Sequence, residues 1–287
     1  MSQRVKRNLV LLATALFLYG VYVVIVPILQ LPPYVLLIAY LLIITILYFI
    51  NRKNVWAVRG NYFYATGHMD KARKLLKKAS DAGVKSYATH MYYALLLVKE
   101  DGNIKEAVAN LEKALKLAKT PFEERNILIT MATCHWMEGN ADAAIDVLEN
   151  VRNNHEFINN SALTTLGFLY LHKERYDEAL EVTSLVIEDE PMYAAAWDNL
   201  GQIYFGQGED EKAKEAFEKA LSLKEYMADS NYFMGILSER VGDKEAAKEY
   251  FRKASISTFA YFNTATQEQA DAKYAQYQQM EQLANEG

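Results

Sequence analysis

The sequence contains a single cysteine, Cys134, among its 287 residues. One cysteine cannot form an internal disulfide or build a cysteine-cluster metal site. The chain also lacks a glycine-rich phosphate loop and the HExxH, GxSxG and CxxC patterns. Its five histidines are scattered, and none are paired at metal-ligand spacing on one helix. These absences predict a protein that is not an enzyme and that binds neither a metal nor a cofactor.

Charged side chains are absent from residues 8–51, although they make up 23% of the whole chain. This stretch contains two apolar runs, residues 9–28 and residues 34–50. A helix rises about 1.5 Å per residue, so runs of roughly 17–25 residues are long enough to cross a hydrocarbon core. Pro32 and Pro33 stop helix propagation between the runs. The pattern predicts a transmembrane helical hairpin that makes up an N-terminal domain of residues 1–52.

The charges that flank the hairpin predict its orientation. Arg4, Lys6 and Arg7 precede the first run, Arg52 and Lys53 follow the second, and the connecting loop is uncharged. Because basic flanks stay in the cytoplasm, both termini should be cytoplasmic in a two-span integral protein of the cell membrane. A cleaved signal peptide is the alternative for the first run. That run is too long for a signal peptide, and a second apolar run follows it at once.

The remaining charges are unevenly distributed along the chain. Residues 1–121 carry 17 Lys and Arg against 6 Asp and Glu, whereas residues 122–227 carry 8 against 21. A basic segment next to a membrane helix should contact anionic lipid, although solvated helix faces are the alternative. Nucleic acid is not expected as a partner, because the net charge is -5 and no recognition motif occurs. The candidate membrane-surface residues are Arg52, Lys53, Lys71, Arg73, Lys74, Lys77 and Lys78.

A repeat of about 34 residues follows the apolar segment. Residues 194–227 contain W-x2-L-G-x2-Y and then A-x3-F-x2-A, formed by Trp197, Leu200, Gly201, Tyr204, Ala213, Phe217 and Ala220. This spacing resembles the tetratricopeptide repeat, a helix–turn–helix unit. The alanine of the second helix recurs at Ala72, Ala107, Ala144, Ala179, Ala213 and Ala247. The six predicted repeats are residues 53–86, 88–121, 125–158, 160–193, 194–227 and 228–261.

The resemblance implies an all-α fold, a right-handed superhelical solenoid of about six helix–turn–helix repeats over residues 53–261. Trp56 and Gly60 match the pattern directly after the second apolar run, so the first repeat helix should continue from the membrane helix without a linker. Residues 262–287 leave the pattern and are predicted to form a C-terminal capping helix and tail. The usage of Lys, Glu, Asn and Tyr hints at a bacterial source, and hence a bacterial inner membrane.

In this family the first helix of each repeat faces the concave groove. A largely apolar and aromatic groove suits an apolar helix or an extended peptide. Two alternatives remain open: the aromatic residues pack against neighbouring repeats, or residues 262–287 fold back over them. By register, the candidate groove residues are Tyr64, Tyr92, Leu96, Ile129, Thr133, Trp136, Thr164, Phe168, His172, Asp198, Gln202, Phe205 and Tyr232.

The resemblance implies a protein-binding function and leaves the biological process open. The leading hypothesis is a membrane-tethered, cytoplasm-facing adaptor or scaffold that binds a partner peptide or helix in the groove. One alternative is a self-assembling structural platform, in which the chain forms a homo-oligomer. Another is a regulator whose groove opens when a ligand binds.

Overall fold

The computed structural model describes Gly20, residues 32–154 and residues 158–286. The rest of the first apolar run, and Arg4, Lys6 and Arg7 before it, lie outside these described residues. The chain divides into two compact units, Met1–Thr89 and His90–Gly287.

The described residues contain thirteen α-helices, one short π-helix and no strand, so the fold there is all-α as predicted. The π-helix, Leu97–Asp101, directly follows the third α-helix. In chain order the α-helices are α1 (Pro33–Ala65), α2 (Met69–Asp81), α3 (Tyr87–Leu96), α4 (Ile104–Leu115), α5 (Pro121–Met137), α6 (Ala141–Asn154), α7 (Asn160–His172), α8 (Tyr176–Asp189), α9 (Ala194–Gly206), α10 (Asp210–Leu223), α11 (Ala228–Arg240), α12 (Lys244–Ser255) and α13 (Gln267–Glu286).

Helix α1 joins the second apolar run to the first repeat without a break. Residues 37–50 of α1 are all exposed, whereas Ala57 and Gly60 are buried against α2. Among the described residues one helix, not two, is long and apolar enough to cross a membrane. Only 6% of its most apolar stretch is buried inside the protein. The predicted continuation from apolar run to repeat helix is therefore observed.

Helices pair within each repeat because one helix cannot bury its apolar face alone. Helix α1 packs against α2, and α5, α7, α9 and α11 pack against α6, α8, α10 and α12. Polar contacts join α3 to α4: the Tyr93 hydroxyl donates to Glu106 at 2.9 Å, and His90 Nδ1 lies 3.1 Å from Asn110 Oδ1. All six repeat alanines are fully buried.

The turn inside each repeat ends with one residue in the left-handed conformation. Glycine fills this position in five repeats, for example Gly139 at φ 77° and Gly208 at φ 77°. The fourth repeat uses Glu174 at φ 57° instead. A left-handed non-glycine residue is uncommon, and here the hydrogen bonds from Glu174 N to Leu171 O at 2.9 Å and from Arg175 N to Tyr170 O at 2.9 Å close the turn.

The C-terminal residues form a loop and a helix that packs on the last repeat. Helix α13 packs against α12. Lys273 forms an ion pair of 2.7 Å with Glu239, and the Tyr277 hydroxyl donates to the same carboxylate at 3.1 Å. The preceding loop, residues 257–266, lies on the second unit's first repeat helices and is called the groove strap below.

Candidate peptide-binding groove

The first helices of successive repeats form one continuous face in the second unit. Helix α9 contacts both α7 and α11 along this face. The groove strap crosses it and reaches back to Trp136 near the end of α5, 125 residues before Tyr261 in the chain. The strap therefore bridges helices from four repeats, α5, α7, α9 and α11.

An aromatic pocket, formed by Trp136, Phe168 and His172, receives the tip of the strap. The ring of Trp136 lies edge-on to Phe168 and to His172, with centroid distances of 5.3 Å and 4.7 Å. Phe262 of the strap stacks on Trp136 at 6.0 Å and meets Phe168 edge-on at 5.7 Å. Trp136 Nε1 also donates to the Tyr261 carbonyl at 2.6 Å. The pocket thus binds one aromatic side chain and one main-chain carbonyl.

A buried acid pair, Asp198 and Asp229, lies next along the groove. Gln202 Nε2 donates to Asp198 Oδ2 at 2.9 Å and to Asp229 Oδ2 at 3.2 Å. The Ser230 hydroxyl donates to Asp198 Oδ1. These contacts orient the Asp229 carboxylate toward the groove.

The strap uses that carboxylate to anchor its main chain. The amides of Thr264 and Ala265 donate to the two Asp229 oxygens, each at 2.9 Å. The Thr264 hydroxyl donates to Gln202 Oε1 at 2.5 Å. A carboxylate that accepts from two successive amides holds a bent main chain, as at Thr264 and Ala265, without reading its side chains.

Burial dominates the electrostatics of the acid pair. Desolvation, followed by repulsion from Asp229, raises the pKa of Asp198 to about 7. Desolvation also raises the pKa of Asp229, although its hydrogen bonds from Thr264 and Ala265 oppose this. Near neutral pH, therefore, Asp198 exchanges a proton while it sits at the base of the groove.

Substitution of Asp198 by Asn should change how stability depends on pH. The folded state binds a proton at Asp198 more tightly than the unfolded state, so this group's contribution to stability falls as pH rises from about 4 to about 7. Asn cannot titrate. The free energy of unfolding of Asp198→Asn minus that of the wild type should rise by about 1–3 kcal/mol over this range.

The measurement is chemical unfolding of both proteins at a series of pH values. Asp146→Asn is the matched control, because it removes a carboxylate that is exposed on α6. A pH-independent difference for Asp198→Asn, or the same pH dependence in both variants, would contradict the raised pKa of Asp198.

Of the predicted groove residues, Trp136, Phe168 and Gln202 contact the strap, and Thr164 and Asp198 line the cavity beside it. His172 packs against Trp136, and Phe205 and Tyr232 pack against rings on α11 and α12. The ring centroids of Phe205 and Phe233 are 4.8 Å apart, and those of Tyr232 and Phe251 are 5.7 Å apart.

The remaining candidates lie on several helices. Leu96 is only 1% exposed, inside the helix packing. The hydroxyls of Thr133 and Thr164 donate to carbonyls of their own helices, at 3.3 Å and 2.7 Å. Tyr64 lies on α1 in the first unit, and Ile129 and Tyr92 are half-buried on α5 and α3.

A cavity of about 250 Å³ remains open beside the strap. Thr165, Tyr193 and Lys224 line its helix side, and Phe262 and Asn263 line its strap side. The sequence left open that residues 262–287 fold back over the groove, but it singled out neither Asp229 nor the strap contacts, because these contacts join segments about 35–125 residues apart. Among the described residues, no group of three His, Cys, Asp or Glu side chains is placed to hold a metal ion.

The basic candidates of the first unit are spread along α1 and α2: Lys71 Nζ, for example, lies 5.6 Å from the centroid of the Phe63 ring, 13 residues beyond the apolar run. The Arg52 guanidinium lies 5.5 Å from the centroid of the Trp56 ring, and Lys78 Nζ lies 6.0 Å from it. Lys53 donates to the Gly83 carbonyl at 3.3 Å. Lys71, Lys74 and Lys77 are exposed on α2, and Arg73 is half-buried there.

Comparison with known proteins agrees with this fold. Tetratricopeptide-repeat family models match residues 158–226 and 228–255, and a model for the tetratricopeptide repeat protein 21 ARM repeat matches residues 45–175. The solved structure of the Cut9-Hcn1 hetero-tetramer of APC/C is 17% identical with a TM-score of 0.59, covering 77% of this chain and 42% of that chain. PilW, a type IV pilus biogenesis factor, is 14% identical with a TM-score of 0.58, covering 70% and 91%. Family models and solved structures thus support a tetratricopeptide-repeat protein over residues 45–255.

Two curated proteins are also similar in sequence. The general transcriptional corepressor trfA of Dictyostelium discoideum is 31% identical over 115 residues, which is 39% of this chain and 8% of trfA. The repeat-containing protein MJ0798 of Methanocaldococcus jannaschii is 33% identical over 95 residues, 31% of this chain and 27% of MJ0798. The chain thus spans less than a third of either protein's length. Tetratricopeptide-repeat proteins are generally non-enzymatic scaffolds, and nothing in these matches points to catalysis.

Proposed function

We propose that this protein is a membrane-tethered adaptor that binds a peptide segment of a partner protein in the groove of its second unit. The observation that carries the proposal is the way the groove holds main chain. It binds one carbonyl through Trp136 and two amides through Asp229, and it places an aromatic side chain between Trp136 and Phe168. A solved relative supports it by analogy: YrrB, described as having an unusual peptide-binding site, is 20% identical with a TM-score of 0.53, over 65% of this chain and 94% of YrrB.

Two features of the first unit support the tether. Residues 37–50 of α1 expose an uninterrupted apolar surface to their surroundings. Trp56 follows the apolar residues of α1, at the depth where a helix would leave the hydrocarbon. Arg52 and Lys78 lie against its ring. Tryptophan and basic side chains favour this interfacial depth. We place residues 9–28 as the first span of the hairpin, with both termini in the cytoplasm.

The exposed lysines of α2 extend this interface. Each basic group near an anionic membrane surface contributes about 1 kcal/mol of attraction. We propose that Lys71, Lys74, Lys77 and Lys78 rest against anionic headgroups and hold the first repeat close to the bilayer.

Photo-crosslinking in intact cells tests the adaptor role. A photo-activatable residue at Thr165, which lines the cavity, should capture a defined partner protein. Trp136→Ala should reduce the amount of this adduct by at least about tenfold, because central aromatic anchors contribute about 2 kcal/mol or more to binding. The control position is Leu185, which is exposed on α8 and should capture no such partner. Capture of only a second copy would favour the self-assembling platform and contradict the proposal, as would equal adducts at both positions.

A further inference from the structure

The groove strap copies the contacts that a bound peptide would make. Its Tyr261 carbonyl accepts from Trp136, and its Phe262 ring fills the aromatic pocket. Two and three residues later, the Thr264 and Ala265 amides donate to Asp229, and the Thr264 hydroxyl donates to Gln202. The strap residues that contact these groove side chains belong to neither a helix nor a strand.

The helix that follows the strap has contacts of its own. Helix α13 is held to the last repeats by its own contacts, Lys273 and Tyr277 with Glu239 and Lys248 with Glu281 at 2.6 Å. Within the strap, only Ser257 and Ala265, near its two ends, are fully buried. Tyr261 at its tip is 47% exposed, and the open cavity lies along one side of Phe262. Displacement exposes the ring of Phe262 and the groove side chains of Phe168, Gln202 and Asp229, which a partner segment would cover again.

We propose that the groove strap is an internal ligand, which a partner displaces by presenting a segment that has an aromatic residue, a Ser or Thr two positions after it, and a bend at that Ser or Thr. The inference rests on the proposed function, and it states what the groove recognises. The aromatic ring replaces Phe262, the hydroxyl replaces that of Thr264, and two successive amides reach Asp229. The tethered strap competes at an effective concentration on the order of millimolar, so it sets a threshold for partner binding.

A fluorescent peptide with the sequence of residues 257–266 tests the inference on the full chain in detergent. Phe262→Asp should free the groove, because a carboxylate without a partner is disfavoured between Trp136 and Phe168. The peptide should bind Phe262→Asp at least about tenfold more tightly than it binds the wild type, whose groove is already occupied. Tyr261→Asp is the matched control: it adds the same charge at an exposed neighbour and keeps the main-chain carbonyl, so it should bind as weakly as the wild type.

Two further measurements locate the site. Adding Trp136→Ala to Phe262→Asp should abolish most of the gained affinity. In the wild type, which needs no substitution in the strap, millimolar peptide should speed hydrogen exchange at the Thr264 and Ala265 amides. Equal binding to all variants, or unchanged exchange at those amides, would overturn the inference and make the strap a fixed part of the fold.

The outcomes also separate this inference from the adaptor role. A partner captured at Thr165, together with no gain of affinity in Phe262→Asp, would reject displacement and leave the adaptor role standing. Tight peptide binding to Phe262→Asp, together with no captured partner, would support the internal ligand and reject the adaptor role.

Discussion

Deletion of residues 2–50 is expected to move the chain entirely from the membrane fraction to the soluble fraction. This deletion removes both apolar runs and leaves Ala57 and Gly60, which pack the first repeat against α2. An inserted helix of about 20 apolar residues holds a protein almost irreversibly, whereas surface charges do not. The measurement is cell fractionation followed by extraction of the membranes with alkaline carbonate.

The matched control separates insertion from electrostatic attachment. Replacing Lys71, Lys74, Lys77 and Lys78 by Gln removes exposed charges of α2 and keeps the apolar residues of α1. This variant should remain in the carbonate-resistant pellet with the wild type. Extraction of the wild type by carbonate would contradict the membrane-spanning anchor, and release of the lysine variant alone would favour a surface-bound protein.

Substitution of Gly201 by Ala is expected to destabilise the second unit by about 1–3 kcal/mol. A Cβ at Gly201 would lie 2.5 Å from two ring atoms of Phe217, which is fully buried. The ring cannot move freely, because it stacks on Phe233 at a centroid distance of 5.8 Å. The measurement is the free energy of unfolding of the full chain by urea in detergent, with unfolding monitored by fluorescence.

A double-mutant cycle shows whether that contact causes the loss. Phe217→Ala alone should cost about 3–5 kcal/mol, because it leaves a cavity. Adding Gly201→Ala to it should then cost almost nothing, since the clashing ring is gone. Glu215→Ala, exposed on the same helix as Phe217, is the control and should stay within about 0.5 kcal/mol of the wild type. Additive losses in the cycle would contradict the close approach of α9 and α10.

The helix pairs could be predicted because the information for them is local and repeated. Gly201 and Phe217 are 16 residues apart, and so are Gly235 and Phe251, which form the same close contact in the next repeat. The turn at Glu174 could not be located from a glycine, because no glycine marks its left-handed residue.

The groove could be predicted in part, since register places Trp136, Phe168 and Asp198 on first helices. Register could not distinguish these residues from Phe205, whose ring packs under the Arg240 guanidinium at 4.4 Å. The sequence offered only the general possibility that residues 262–287 fold back over the groove. The contacts of the strap could not be predicted, because they depend on how four repeats stack. Asp229 was missed for the same reason, as its role appears only when Thr264 and Ala265 lie beside it.

The most direct test of recruitment to the membrane is fractionation of the adduct formed at Thr165. In cells that express the full chain, the captured partner should be found in the membrane fraction. In cells that express the chain without residues 2–50, the same adduct should form and appear in the soluble fraction. A partner that stays on the membrane without residues 2–50, or that is captured equally by Trp136→Ala, would contradict an adaptor that recruits its partner through the groove.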